Sequence, residues 1–223
     1  MKKSLPWSIL LSLVLVCVMV FGLAPGARAA DSDLWIGDTQ IDVGENSSGT
    51  GWSWDADSRT LTLDSPAITT SHLIGADSTD TANIFAFGLN LTLKGKLTLE
   101  GSADYGVFVV ANYSGAGGNL TVDGAKLDIS GKKAAVSVEG IITVSGASEV
   151  VASGKIAGFE VRVKGNVMIE GGSVTATGGG DGIEGGNGIR ASGVYLSDGT
   201  VLTATGGNHA ILAEVSPYED SSA

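Results

Sequence analysis

The segments VMIEGGSVTATGG (167–179) and VYLSDGTVLTATGG (194–207) decide the fold, because each holds two short runs of alternating apolar residues separated by a glycine-containing turn. Three earlier segments follow the same pattern: LTLKGKLTLEG (91–101), LTVDGAKLDISG (120–131) and ITVSGASEVVASG (142–154). A third short apolar run follows every copy. The copies begin at 91, 120, 142, 167 and 194, in steps of 29, 22, 25 and 27 residues. Strands of period two repeating at that length predict an all-β fold, a right-handed parallel β-helix with three short strands in each coil.

A partial copy at residues 61–63 and 67–68 precedes the five, so we expect about six coils over residues 61–215. Residues 31–60 contain apolar pairs at 34–36, 41–43 and 52–54, which predict a cap of short β-strands over the first coil. Such a cap is needed because an open coil exposes its core and its unpaired backbone. Residues 216–223 form an acidic tail.

Residues 1–30 have the pattern of a signal peptide. Lys2 and Lys3 precede an almost wholly apolar run at 10–23, and Ala27 and Ala29 provide the small residues that a signal peptidase requires. We therefore expect a secreted or cell-surface protein with no membrane span in the mature chain.

The charge of the mature chain excludes several classes of partner. Removal of residues 1–30 leaves 10 basic and 24 acidic residues, a net charge of −14. Such a surface repels nucleic acid and anionic membranes, and it would admit an acidic polysaccharide only through bridging cations. Cys17, the single cysteine, lies within the leader, so the mature chain forms no disulfide.

Two stretches, at 34–41 and 51–63, resemble the opening module of uncharacterised exported proteins of Gram-positive bacteria. The phrases GGSVTATGG and GDGIEGGNGI are similar to later coils of those proteins. Some of them are described as carbohydrate-binding-domain β-helix proteins, related in shape to pectate lyases but without their activity. The resemblance implies a surface location and extracellular carbohydrate as the ligand.

Aromatic side chains are the candidate sugar contacts, because their flat faces stack on the apolar faces of sugar rings. Trp52 and Trp54 share one side of a predicted strand, Tyr195 points outward by alternation, and Tyr105 is expected in a loop. The alternative is that the two tryptophans pack over the first coil.

The glycine-rich loop at 178–187 groups the oxygen ligands Asp181, Glu184 and Asn187, which suit a hard cation such as calcium. The alternative is that this loop only bridges two strands. Calcium is the only cofactor that the sequence suggests.

The sequence predicts no catalytic residues. One outward row runs through Lys94, Asp123, Ser145, Glu170 and Ser197. Asp123 and Glu170 are separated by the coil that carries Ser145, so they form no close carboxylate pair. Arg162 and Arg190 have no acidic cluster beside them in the sequence.

The sequence therefore favours a non-catalytic, exported module that binds extracellular polysaccharide or cell-surface components, with calcium as an assisting ion. The first alternative is a structural or adhesive spacer of a surface protein. The second is a polysaccharide lyase or hydrolase.

Overall fold

The computed structural model describes residues 32–75, 78–163, 165–180 and 186–213. Within these residues every regular element is a β-strand, and no helix long and apolar enough to cross a membrane occurs among them. The predicted leader at 1–30 and the predicted acidic tail at 216–223 lie outside the described residues. The strands are β1 (Asp33–Ile36), β2 (Thr39–Ile41), β3 (Ser47–Gly49), β4 (Trp52–Asp55), β5 (Thr60–Asp64), β6 (His72–Leu73), β7 (Thr81–Phe87), β8 (Leu91–Leu99), β9 (Tyr105–Val110), β10 (Leu120–Asp123), β11 (Lys126–Gly131), β12 (Ala134–Val138), β13 (Ile142–Ser145), β14 (Glu149–Gly154), β15 (Ala157–Val161), β16 (Asn166–Ile169), β17 (Ser173–Gly178), β18 (Asn187–Ala191), β19 (Gly193–Leu196), β20 (Val201–Gly206) and β21 (His209–Ala213).

The strands wind into a right-handed parallel β-helix, as the sequence predicts. Five complete coils are formed by β8–β9 (coil 1), β10–β12 (coil 2), β13–β15 (coil 3), β16–β18 (coil 4) and β19–β21 (coil 5). Face 1 contains β10, β13, β16 and β19 in parallel pairing, and face 2 contains β11, β14, β17 and β20. Strand β8 serves both faces, because its first residues pair with β10 and its last residues with β11. Face 3 contains β7, β9, β12, β15, β18 and β21.

A partial coil precedes coil 1, in agreement with the expected sixth repeat. Strand β5 pairs in parallel with β8, and β7 pairs in parallel with β9. The predicted apolar pair at 67–68 forms no strand. The sequence analysis missed β7 because residues 82–86 are buried on both sides of the strand, so no apolar–polar alternation marks them.

Antiparallel strands close the N-terminal end, where the sequence predicts a cap. Strand β1 pairs with β2 and β7, and β4 pairs with β3 and β5. Strand β2 begins two residues before the predicted pair at 41–43. Leu34 and Trp54 of the cap are 0% and 2% exposed, so these strands cover the first coil with apolar side chains.

The core is built from rows of side chains that stack along the axis. One row on face 2 joins Leu97, Leu127, Val150, Val174 and Leu202, which are neighbours in register. The first four are each 1% exposed, because the coils on both sides cover them. Leu202 has a described neighbour on one side only and is half-buried.

The corner between faces 1 and 2 differs from coil to coil. In coil 1 it is the single residue Gly95, with φ +85°, so that β8 continues through the bend. A Cβ atom at Gly95 would lie 2.0 Å from the carbonyl oxygen of Leu63, so only glycine fits. Later coils use longer turns there, which end one strand and begin the next.

Candidate functional site

A groove lies at the N-terminal cap and has a volume of about 470 Å³. It is formed by the turn between β1 and β2, by the β3–β4 hairpin and by the segment that follows β5. Its lining residues are Ile36, Asp38, Thr39, Ser48, Gly49, Thr50, Trp52, Pro66, Ala67, Ile68, Thr69 and Thr70.

Trp52 is the aromatic side chain of this groove. It is half-buried and packs against the main core. Gly49 is its partner across the β3–β4 hairpin, and a Cβ atom on Gly49 would lie 2.4 Å from Cε2 of the indole. The indole therefore lies directly on the Gly49 backbone, and the absence of a side chain there positions the ring at the groove.

Hydrogen bonds hold the opposite wall of the groove in place. The Thr70 hydroxyl donates to Oδ1 of Asp38 at 3.1 Å and accepts from the Asp38 backbone N–H at 3.2 Å. Nδ2 of Asn83, a residue that is 1% exposed, donates to the Thr70 carbonyl oxygen at 2.9 Å. The segment after β5 is thereby fixed to the β1–β2 turn.

The groove is rich in hydroxyl groups and poor in charge. Five of its lining residues are serine or threonine, and Asp38 is the one charged residue among them. A rigid aromatic side chain beside hydroxyls and one carboxylate suits a ligand with both apolar faces and many hydroxyl groups.

Trp54 occupies a different environment from Trp52, although both side chains point to the same side of β4. Trp54 is 2% exposed and belongs to the core, where its Nε1 has no hydrogen-bond partner. It packs over the first coil and presents no face to a ligand. Of the two tryptophans predicted as sugar contacts, only Trp52 therefore lies at the groove.

The prediction for Tyr105 is wrong. It lies in β9, not in a loop, and is 4% exposed. Its neighbours in register are Ala82 and Ala134, whose small side chains leave room for the ring, and Phe108 packs against it with ring centroids 4.7 Å apart. Burial raises the pKa of the Tyr105 hydroxyl, although the charge of Arg162 opposes this.

Tyr195 points outward as predicted and is 59% exposed. It lies in β19 of coil 5, whereas Trp52 lies in the cap before coil 1. The four predicted aromatic residues therefore do not form one site.

The outer side of face 3 carries an aromatic cluster that the sequence analysis did not identify. The rings of Trp35 and His72 stack with centroids 3.9 Å apart, and His72 stacks on Phe85 at 5.5 Å. Phe85 stacks in turn on Phe108, its neighbour in register, at 6.0 Å. Burial in this stack lowers the pKa of His72, although the charge of Asp33 opposes this.

The same face holds a buried carboxylate, that of Glu160, which is 7% exposed. The Ser137 hydroxyl donates to its Oε2 at 2.8 Å. Nε of Arg162 lies 3.7 Å from Oε2, and Nη1 of Arg190 lies 3.6 Å from Oε1. The Arg162 guanidinium also lies 5.0 Å from the ring centroid of Phe108.

The sequence analysis found no acidic cluster beside the two arginines, and the structure places one carboxylate, that of Glu160, within reach of both. Glu160 and Arg190 are 30 positions apart in the sequence but are neighbours in register, as are Ser137 and Glu160. Aligning the central residues of the third apolar run in each repeat would have found this cluster. The cluster links coils 2, 3 and 4.

The predicted outward row on face 1 is present in the expected register. Nζ of Lys94 lies 2.9 Å from Oδ2 of Asp123, and this hydrogen bond and charge hold the pKa of the Asp123 carboxyl below its usual value. The Ser145 hydroxyl lies 3.4 Å from Oδ1 of Asp123. Glu170 lies one coil beyond Ser145, so Ser145 separates Asp123 from Glu170, as predicted.

Two of the three predicted metal ligands, Asp181 and Glu184, lie outside the described residues. The third, Asn187, is 6% exposed, and its Oδ1 lies 3.2 Å from Nδ1 of His209 in the next coil. Asn187 is thus engaged inside face 3, and the calcium site at 178–187 stays a prediction. In the part of the chain that the structure describes, no group of three or more His, Cys, Asp or Glu side chains could hold a metal ion.

Comparison of the chain with protein-family models, with curated proteins and with solved structures finds no match.

Proposed function

We propose that this chain is an exported, non-catalytic module that binds extracellular carbohydrate in the groove beside Trp52. The observation that carries the proposal is the half-buried indole of Trp52, which lies on Gly49 at the edge of a groove with five hydroxyl-bearing residues. The leader-like segment at 1–30 and the resemblance to exported carbohydrate-binding β-helix proteins support export and the ligand class.

The geometry of the groove supports a sugar over a wholly apolar ligand. The indole would stack on one face of a sugar ring, while the Asp38 carboxylate would accept hydrogen bonds from the sugar hydroxyls and the threonine hydroxyls would donate or accept them. Binding of this kind requires rigid groups, and the Thr70–Asp38 and Asn83–Thr70 hydrogen bonds supply that rigidity.

A spacer role is the second candidate, and the regular stacking of coils 1–5 favours it. The rows on all three faces stay in register from coil to coil, and this geometry would project other domains from a surface. A spacer needs no ligand in the Trp52 groove, so binding experiments separate the two functions.

The decisive experiment is retention of residues 31–223, the unit that contains every described strand, on a panel of insoluble polysaccharides. We expect Trp52→Ala to weaken retention about tenfold or more, the equivalent of about 1.4 kcal/mol of binding free energy. Tyr113→Ala is the matched control, because Tyr113 is 97% exposed and does not line the groove. It should leave retention unchanged.

A second variant protects the test against destabilisation by Trp52→Ala. Thr50 is exposed at the groove, and Thr50→Trp should obstruct it while leaving Trp52 and its packing in place. Retention that survives both variants would contradict the site. Failure of the wild-type chain to bind any polymer in the panel would favour the spacer role.

Each retention assay is run with calcium and with a chelator, since assistance by calcium remains a prediction. Retention that depends on calcium but is insensitive to Trp52→Ala would move the site to the loop at 178–187. Retention that is lost in Tyr195→Ala but kept in Trp52→Ala would show that the binding site lies in coil 5.

A further inference from the structure

The groove beside Trp52 carries charge of one sign. Asp38 is the only charged group among its described lining residues, so no lysine or arginine balances it there. The Thr70 hydroxyl donates to Oδ1 of Asp38 at 3.1 Å, and no described lysine or arginine forms an ion pair with this carboxylate. A carboxylate has about four acceptor positions, so one neutral donor leaves most of them available to a ligand. The groove therefore presents a negative charge that no described cation compensates.

The cap around the groove is acidic as well. Residues 32–75 contain seven acidic residues and one basic residue, a net charge of −6 with histidine neutral. The seven are Asp33, Asp38, Asp42, Glu45, Asp55, Asp57 and Asp64. Residues 31, 76 and 77, which lie beside the cap in the sequence, add two aspartates and no base. The one base, Arg59, lies in the turn after β4, and the five residues of β5 separate it from the groove by about 17 Å.

Two further groups border the cap without changing the charge of the groove. Lys96 of coil 1 is the neighbour in register of Asp64, and neither of them lines the groove. His72 stacks between the rings of Trp35 and Phe85, and burial there lowers the pKa of the imidazole, which disfavours its charged form. Neither Lys96 nor His72 therefore places a positive charge in the groove.

An indole and a carboxylate in one groove suit a cationic ligand. The face of a tryptophan attracts an ammonium group that lies within about 6 Å of the ring centroid. A carboxylate accepts short, charge-assisted hydrogen bonds from the same group. A ligand that carries carboxylates would instead be repelled, both by Asp38 and by the net charge of −14 on the mature chain. Sugars that contain a free amino group combine an ammonium with apolar ring faces and hydroxyls.

We propose that the Trp52 groove selects polysaccharides whose sugars carry free amino groups, and that Asp38 is the residue that determines this selectivity. The inference rests on the proposed function and names the class of sugar that the same groove takes. The ammonium group binds the Asp38 carboxylate, the indole of Trp52 stacks on the sugar ring, and the threonine hydroxyls bind the sugar hydroxyls. Thr70 holds the carboxylate in position for this contact.

The test compares two soluble oligosaccharides of the same length and linkage, one of glucosamine and one of N-acetylglucosamine. They differ in the charge at the nitrogen and in the acetyl group. Titration calorimetry with residues 31–223, in a mildly acidic buffer that keeps the amine protonated, gives both affinities. We expect the glucosamine oligomer to bind about tenfold or more tightly than the acetylated one. Asp38→Asn should bring that ratio close to one, and Trp52→Ala should weaken binding of both oligomers.

Asp57→Asn is the matched control. Asp57 is exposed in the turn after β4, does not line the groove, and its replacement changes the net charge of the cap by the same amount. The ratio of affinities should stay unchanged in this variant. The asparagine in Asp38→Asn can still accept the Thr70 hydrogen bond through its amide oxygen, so the groove wall is kept. Circular dichroism and the melting temperature verify that each variant is folded.

Three results would overturn the inference and leave the proposed function standing, provided that binding depends on Trp52. The first is equal affinity of the wild-type chain for the two oligomers. The second is a preference that survives Asp38→Asn, since the attraction would then come from the net charge of the chain. The third is tighter binding of an acidic oligosaccharide, such as one of galacturonic acid. If the wild-type chain binds no sugar at all, the proposed function fails, and this inference fails with it.

Discussion

Glu160 shows how a single charged residue is accommodated on a buried sheet face. Its carboxylate is nearly inaccessible to water, yet it accepts a hydrogen bond from Ser137 and has two guanidinium groups within 4 Å. The side chains of Arg162 and Arg190 stay 41% and 38% exposed. The cations thus keep much of their hydration while they compensate the buried charge.

We predict that Glu160→Gln lowers the free energy of unfolding by about 1–3 kcal/mol, because the buried position then loses the charge-assisted hydrogen bond from Ser137 and the attraction to both arginines. Glu149→Gln is the control from the same coil. Glu149 forms an exposed ion pair with Lys126 at 2.7 Å, and such pairs contribute less than about 1 kcal/mol. Urea denaturation of both variants measures the difference. Equal losses would show that burial of Glu160 has no energetic consequence.

At the scale of the element, β8 is the unusual strand, because one chain segment belongs to two faces of the coil. Its nine residues remain a single strand since the bend at Gly95 needs no extra residue. The bend brings the Gly95 backbone into close contact with the carbonyl group of Leu63 in β5. At this bend β5 of the partial coil and β8 of coil 1 approach so closely that residue 95 cannot carry a side chain.

We predict that Gly95→Ala destabilises the fold more than Gly115→Ala does. Both glycines have positive φ, +85° and +81°, so alanine is strained at each by about 1–2 kcal/mol. A Cβ atom at Gly115 has no atom within 4 Å, whereas at Gly95 it would collide with Leu63. The collision should add about 1–3 kcal/mol. Thermal and urea unfolding provide the comparison, and indistinguishable variants would contradict the role assigned to this contact.

At the scale of the whole molecule, stability varies along the axis. Each coil contacts only its neighbours, so an inner coil is supported from two sides and a terminal coil from one. The cap supplies the second neighbour at the N-terminal end, as the burial of Leu34, Trp54 and Leu61 shows. Coil 5 has no such cover among the described residues.

We predict that backbone amides in β19–β21 exchange with deuterium fastest among the strands of the five coils, and that those of coils 2 and 3 exchange slowest. The measurement is hydrogen exchange with mass spectrometry on residues 31–223. Uniform exchange along the axis would indicate that the coils open as one cooperative unit.

The sequence by itself determined the repeat and therefore the fold. Alternation of apolar residues at 91–101, 120–131, 142–154, 167–179 and 194–207 sets which side chains point inward, and the spacing sets one coil per copy. The outward row from Lys94 to Ser197 followed from the same alternation. These features are local, because neighbouring residues on a strand face opposite sides whatever lies around them.

The tertiary structure alone decided which residues meet and which remain accessible. Trp52 and Trp54 are equivalent by alternation, but only the contact with Gly49 and the cover by the first coil distinguish the groove residue from the core residue. Tyr105 is buried because alanines flank it in register, and Glu160 meets Arg190 across a coil boundary. Such contacts depend on the lengths of the corners, which vary from coil to coil, so the pattern within one repeat does not contain them.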